Sequence, residues 1–142
     1  MQHVEVRHRY AAPPQAVWDV YVDHANWSEW SGFPGSKLVQ PGSPDRNGTG
    51  AVRSFAGGVR EEVIDFEPPK RMTYTVVGGP FPITGHLGEV SFELDGEGTL
   101  VVWRCRFEPR IPLTGGLLQR FITGSFRRAL DGLGRRGFAP SA

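Results

Sequence analysis

The sequence predicts an α+β protein in which a curved antiparallel sheet of about seven strands wraps around one long C-terminal helix, with two short helices after the first strand. Three observations carry that expectation. A period-two segment opens the chain, a closely spaced run of strand-like segments with turn-forming separators fills the middle, and one long stretch of helical periodicity closes it. Strands joined by connections too short for crossovers pair antiparallel, and the apolar face of their sheet needs a cover, which a single helix supplies.

The elements follow in order. Residues 4–10 alternate, with Val4, Val6, His8 and Tyr10 on one face and Glu5, Arg7 and Arg9 on the other, as in a half-buried strand. Pro13-Pro14 suits the first turn of a helix, and Val17, Val20 and Tyr21 with Trp18 and Val22 give it an apolar stripe to about Asp23. Asn26 is then placed to cap a single turn that brings Trp27 and Trp30 onto one side. Gly, Pro, Ser and Asn dominate from Ser31 to Gly50, leaving room for a brief strand at Lys37–Gln40.

Strand-like runs follow at residues 51–55, 59–66, 72–77, 86–94 and 99–107. Their separators are Gly57-Gly58, Glu67-Pro68-Pro69-Lys70, Gly78-Gly79-Pro80-Phe81-Pro82 and Asp95-Gly96-Glu97-Gly98, each short enough for a hairpin. From Leu117 onward, Leu118, Phe121, Ile122, Phe126, Ala129, Leu130 and Leu133 keep helical spacing. Asp131 lies four residues from both Arg127 and Arg135, which predicts ion pairs along a solvated helix face.

Length and composition bound the function. The 142 residues fit one domain, 1–142, large enough to fold without a metal or disulfide staple. Sixteen Lys and Arg against fifteen Asp and Glu give a net charge of +1, which argues against a nucleic-acid binder. The single Cys105 has no partner for an internal disulfide. His3, His8, His24 and His86 lack metal-ligand spacing, so no metal is expected. Gly48-Thr49-Gly50 and Gly96-Glu97-Gly98 do not fit a dinucleotide fingerprint, and no cofactor is expected. No apolar run reaches the ~18 residues of a membrane span, and Met1 is followed by polar Gln2-His3, so a cytoplasmic protein without membrane insertion is expected. Unpaired sheet edges leave monomer and homodimer both open.

Several local sequences, in this order, carry a resemblance: 11–20 (Ala-Ala-Pro-Pro-Gln-Ala-Val-Trp-Asp-Val), Trp27-Ser28-Glu29-Trp30, Glu62-Val63, Glu67-Pro68-Pro69-Lys70-Arg71-Met72-Thr73-Tyr74, and Gly98-Thr99-Leu100-Val101-Val102-Trp103. Together they resemble the START-like superfamily, also called SRPBCC, and within it the bacterial polyketide cyclase/dehydrase and lipid-transport type. The resemblance covers nearly the whole chain. It implies a helix-grip fold with a deep apolar cavity between sheet and helix. It does not decide function, because relatives of this fold include carriers, receptors, aromatases and ribosome-associated proteins.

Strand parity then nominates the cavity wall. If the Asp95–Gly98 turn joins a regular hairpin, Leu94 faces Thr99, Glu89 faces Arg104 and Val90 faces Trp103, matching charge with charge and apolar with apolar. His86, Gly88, Val90, Phe92 and Leu94 then point inward with Val101, Trp103, Cys105 and Phe107, as do Met72, Tyr74 and Val76. Tyr74 and Trp103 pair a large apolar body with one polar group, which suits a pocket or simply a filled core. The strand at 59–66 fits either parity, and we place Glu62, Ile64 and Phe66 inward. Arg53 can then meet Glu62 across the sheet, either as a buried contact that anchors a ligand's carboxylate or hydroxyl or as a surface ion pair. Phe81 sits at the apolar tip of a Gly- and Pro-rich loop and suits a lid. Trp27 and Trp30 suit the opposite rim or a plug of the sheet's open end, and Phe121 lies on the helix stripe.

His86 and Cys105 share this inner face, yet nothing in the sequence signals the orienting group and oxyanion donors that nucleophilic catalysis needs. The first expectation is binding of a small hydrophobic or amphipathic, lipid- or polyketide-like molecule, without assigned catalysis. A polyketide cyclase/aromatase or dehydratase using Arg53, Glu62, Tyr74 and His86 as acid/base groups is the alternative. A ligand-free protein-interaction module is the third.

Overall fold

The computed structural model describes residues 1–138, so the last four residues of the expected 1–142 domain lie outside the described residues. Seven strands form one antiparallel sheet: β1 (Gln2–Tyr10), β2 (Lys37–Gln40), β3 (Val52–Ser54), β4 (Arg60–Glu67), β5 (Arg71–Gly78), β6 (Ile83–Asp95) and β7 (Gly98–Pro109). Their spatial order is β1-β7-β6-β5-β4-β3-β2, so β2 to β7 form a meander and β1 closes beside β7. Helix α1 (Pro14–Tyr21), a 3₁₀ helix at His24–Glu29 and helix α2 (Gly115–Arg136) cover the inner face.

Each element forms for local reasons that tertiary packing then adjusts. Pro14 occupies the first turn of α1, where its missing N–H is no loss, but the helix ends at Tyr21, earlier than Asp23. The following 3₁₀ turn starts three residues earlier than expected. Asp23 holds the cap position and Asn26, inside the helix, donates from Nδ2 to its carboxylate at 2.8 Å, so Asn26 is a partner of the cap and not the cap itself.

The register of β6 on β7 follows the alternation: Leu94 opposite Thr99, Val90 opposite Trp103, Glu89 opposite Arg104. Leu94 nevertheless is 73% exposed, because this end of the hairpin runs past the elements that cover the inner face. An irregularity between Thr84 and Leu87 lets β6 start at Ile83, earlier than residue 86.

Helix α2 lies along the sheet with Ile122, Phe126, Ala129, Leu130 and Leu133 buried. The Phe126 ring stacks on Trp103 with centroids 3.8 Å apart, and Tyr10 donates to the Leu130 carbonyl at 2.6 Å. At Gly132 a Cβ would lie 1.9 Å from the Trp30 carbonyl oxygen, so only glycine lets α2 press against the 3₁₀ segment. Asp131 does not pair with Arg127 or Arg135 as the spacing suggested. Its carboxylate lies 3.3 Å from His8 Nε2 on β1, a cross-element partner that helical spacing cannot report.

Candidate functional site

Between the sheet and α2 lies a cavity of about 240 Å³. Its walls are almost entirely apolar: Trp27, Phe33 and Phe55 at one end, Val76, Ile83 and Trp103 on the sheet, Ile122 and Phe126 on the helix. Phe81 and Phe121, with ring centroids 6.2 Å apart, form the mouth, and Phe121 is 59% exposed. The volume falls below the roughly 300–1,000 Å³ of drug-sized pockets and equals about eight waters' share of liquid.

Of the ten residues nominated from the sequence, seven line this space: Trp27, Tyr74, Phe81, His86, Trp103, Cys105 and Phe121. Trp30 does not. It is buried beside Trp27, at 4.9 Å between centroids, and serves the core. Arg53 lies behind the wall and Glu62 points the other way.

The β4 parity is a correction. Glu61 stands opposite Arg53 on β3 and opposite Val76 on β5, while Glu62 stands opposite Val52 and Thr75. Glu61 and Val63 therefore face inward, and the expected inward set of Glu62 and Ile64 faces outward, Ile64 being 43% exposed. Phe66 does point inward, against Trp18 at 5.0 Å. A bulge between Val63 and Asp65 reconciles the two, because one extra residue flips the parity for the rest of the strand.

Arg53 is accordingly not on the surface. Its guanidinium is buried, with Nε donating to Glu61 Oε1 at 2.9 Å and Nη2 equally close to the same oxygen. It lies over the Trp27 ring at 4.5 Å and the Tyr74 ring at 4.9 Å, two cation–π contacts in a desolvated setting. Burial works against its charge, but Glu61 and the two tyrosines Tyr21 and Tyr74 outweigh it and hold the guanidinium protonated.

His24, which no motif singled out, completes this cluster. Its Nε2–H donates to the Asn47 carbonyl at 2.9 Å, and its Nδ1 accepts a long contact of 3.4 Å from Arg53 Nη1. Burial, then the neighbouring Arg53 charge, push the imidazole pKa down to about 3, so the ring is neutral. The Tyr21 hydroxyl, also buried here, has no hydrogen-bond partner among the described residues, and burial raises its pKa.

On the cavity side, the Trp103 indole N–H donates to Tyr74 Oη at 2.7 Å, which satisfies the indole and leaves the Tyr74 O–H without an acceptor among the described residues. The Tyr74 ring lies flat on Gly88, where a Cβ would sit 2.3 Å from Cζ. His86 accepts the Val76 backbone N–H on Nδ1 at 3.2 Å, and burial lowers its pKa. Burial pushes the Cys105 thiol up to about 12, so it is neutral and a poor nucleophile. Among the described residues no three His, Cys, Asp or Glu side chains gather into a set that could hold a metal ion.

A seven-stranded curved sheet gripping a C-terminal helix over an apolar cavity defines the START-like, helix-grip class. The chain belongs to the family described as polyketide cyclase / dehydrase and lipid transport, whose sequence profile matches residues 1–137. Proteins of this SRPBCC type bind hydrophobic ligands.

Solved structures agree on the fold. A protein of Thermobifida fusca is 26% identical, with 96% of this chain and 93% of that one covered at a TM-score of 0.80. XoxI from Bacillus cereus is 22% identical over 96% and 95% at 0.80, and a START superfamily protein from Mycobacterium smegmatis is 13% identical over 96% and 97% at 0.80. No curated protein matches the sequence.

Proposed function

We propose that the protein binds one small hydrophobic or amphipathic molecule in the cavity between sheet and α2. The observation that supports this reading is the cavity itself, apolar on nearly every wall yet holding one carboxylate and one imidazole edge. Close packing is the rule in protein interiors, so an apolar space of this volume with a mouth framed by Phe81 and Phe121 suits a guest better than a core. Its size suits a bicyclic compound or a short acyl chain and not a diacyl lipid. The free, buried Cys105 suits a reducing compartment, and a cytoplasmic single-domain carrier, monomeric or homodimeric, is part of the proposal.

Native mass spectrometry of the purified protein, followed by denaturing extraction, tests it. A stoichiometric apolar adduct, lost in Ile122→Phe, is the expected result. A bare mass that also resists added lipids and polycyclic aromatics would sink the proposal.

A second reading is a cyclase or dehydratase acting in the same space. It is favoured by the row Glu61–Val76–His86, which sets a carboxylate and an imidazole on one wall of a water-poor cavity, the pair that proton transfer between ligand atoms needs. Turnover of a polyketide substrate that is unchanged in a combined Tyr74→Phe, His86→Ala protein would remove this reading.

A further inference from the structure

We propose that the cavity selects neutral molecules carrying a hydroxyl, of the phenol or alcohol kind, and excludes carboxylates such as fatty acids. The inference rests on the binding reading above and concerns what the polar part of the guest must be.

The cation that would hold a carboxylate is withdrawn from the cavity. Arg53 has no exposed side-chain surface, and its guanidinium is engaged by Glu61 Oε1, by His24 Nδ1 and by the faces of Trp27 and Tyr74. Among the described residues that line the space there is no Arg and no Lys. What reaches the cavity is the other half of the ion pair. Both Arg53 contacts fall on Oε1, and Glu61 Oε2 receives no hydrogen bond among the described residues.

An anionic guest would therefore meet a like charge where low polarity strengthens repulsion, whereas an O–H would make a charge-assisted hydrogen bond. His86 supplies the complement. Because Nδ1 accepts the Val76 N–H, the neutral ring carries its proton on Nε2, which has no partner among the described residues. Glu61 and His86 flank the same residue, Val76, on neighbouring strands, so an acceptor and a donor share one wall.

A hydroxyl is the small group that donates to the first and accepts from the second. A ketone only accepts, and an ammonium would leave the Nε2–H facing a cation. Tyr74 Oη already accepts from Trp103, and Ser125 Oγ gives its proton to the Phe121 carbonyl, so neither is the charged acceptor that a guest O–H meets in Glu61.

The test compares naphthalene, 2-naphthol and 2-naphthoate at neutral pH, by isothermal titration and by quenching of tryptophan emission, since Trp27 and Trp103 line the cavity. The full chain should bind 2-naphthol at least about tenfold more tightly than 2-naphthoate. In Glu61→Gln, where Arg53 loses its counter-ion, the preference should vanish or reverse. Because that variant leaves a buried charge uncompensated, Arg53→Met/Glu61→Gln is measured beside it and should bring the two probes within about threefold of each other. Equal affinities in the native protein, or an undiminished preference in the folded double variant, overturn the inference while naphthalene binding leaves the cavity reading standing. Failure of all three probes to bind overturns both.

Discussion

Replacing Gly88 by alanine should destabilise the protein, although the same change at an open site stabilises. A Cβ built at Gly88 lies 2.3, 2.6 and 2.8 Å from Cζ, Cε1 and Cε2 of Tyr74. Carbon pairs rest at about 3.5–4.0 Å, so the ring must retreat by more than about 1 Å. It has nowhere to go at low cost. The Arg53 guanidinium covers its other face at 4.9 Å, and its hydroxyl is held by the Trp103 indole at 2.7 Å.

Overpacking of a core typically costs about 1–3 kcal/mol, and stranding the buried indole N–H adds about 1–3. The lower entropy of the unfolded alanine chain returns only about 0.4–1 kcal/mol. A net loss of about 2–4 kcal/mol follows, or a fall in Tm of about 6–15 °C for a domain of this size. Thermal melts followed by circular dichroism measure it. Gly124→Ala is the control: nothing lies within 4 Å of its Cβ position in α2, and that variant should gain about 0.5–1 kcal/mol. A Tm that holds or rises in Gly88→Ala would refute the packing argument, and Gly88→Ala/Tyr74→Leu should cost less than the sum of its parts.

Two further outcomes follow from the buried cluster. The His24 pKa is depressed in the folded state, to about 3 against an ordinary value of 6.5, so the unfolded chain binds the proton first as pH falls. Stability is therefore full above about pH 6.5 and declines below it by about 1.4 kcal/mol per pH unit until the folded ring titrates. His86, also lowered, adds in the same direction. Urea midpoints between pH 7 and 5 should show this slope, and His24→Gln should flatten it; an unchanged slope counts against the assignment. Arg53→Met should cost about 2–4 kcal/mol, because it leaves Glu61 without its cation and removes the filler between Trp27 and Tyr74. Arg53→Met/Glu61→Gln should recover at least half of that loss in urea unfolding, and a single variant as stable as the native protein would contradict the burial.

The fold was legible because its evidence is local and periodic. Alternation in Val4–Tyr10, turn residues at Asp95-Gly96-Glu97-Gly98 and the stripe of Phe126, Leu130 and Leu133 each report which face a residue takes, and opposite charges at Glu89 and Arg104 set the hairpin register. Half the site came from the same signal: Tyr74, His86, Trp103 and Cys105 follow from the parity of strands that keep it.

The polar centre was not legible, and the reason is specific. Glu61 and Glu62 are chemically identical neighbours in a strand whose parity is broken by a bulge, so alternation alone cannot choose between them. His24 meets Arg53 across 29 positions of sequence, and Asp131 meets His8 across more than a hundred, contacts without any period. Trp27 and Trp30 share a turn, yet one lines the cavity and the other is buried in the core beside Tyr21.

The sequence by itself thus determined which elements form, which faces they bury and the order in which they pair, because those follow from hydrophobic spacing and turn chemistry along the chain. Only the tertiary structure decided that Arg53 is sealed away, that Glu61 lines the cavity and that a space of about 240 Å³ opens between sheet and helix, because each depends on how side chains from distant segments divide one volume.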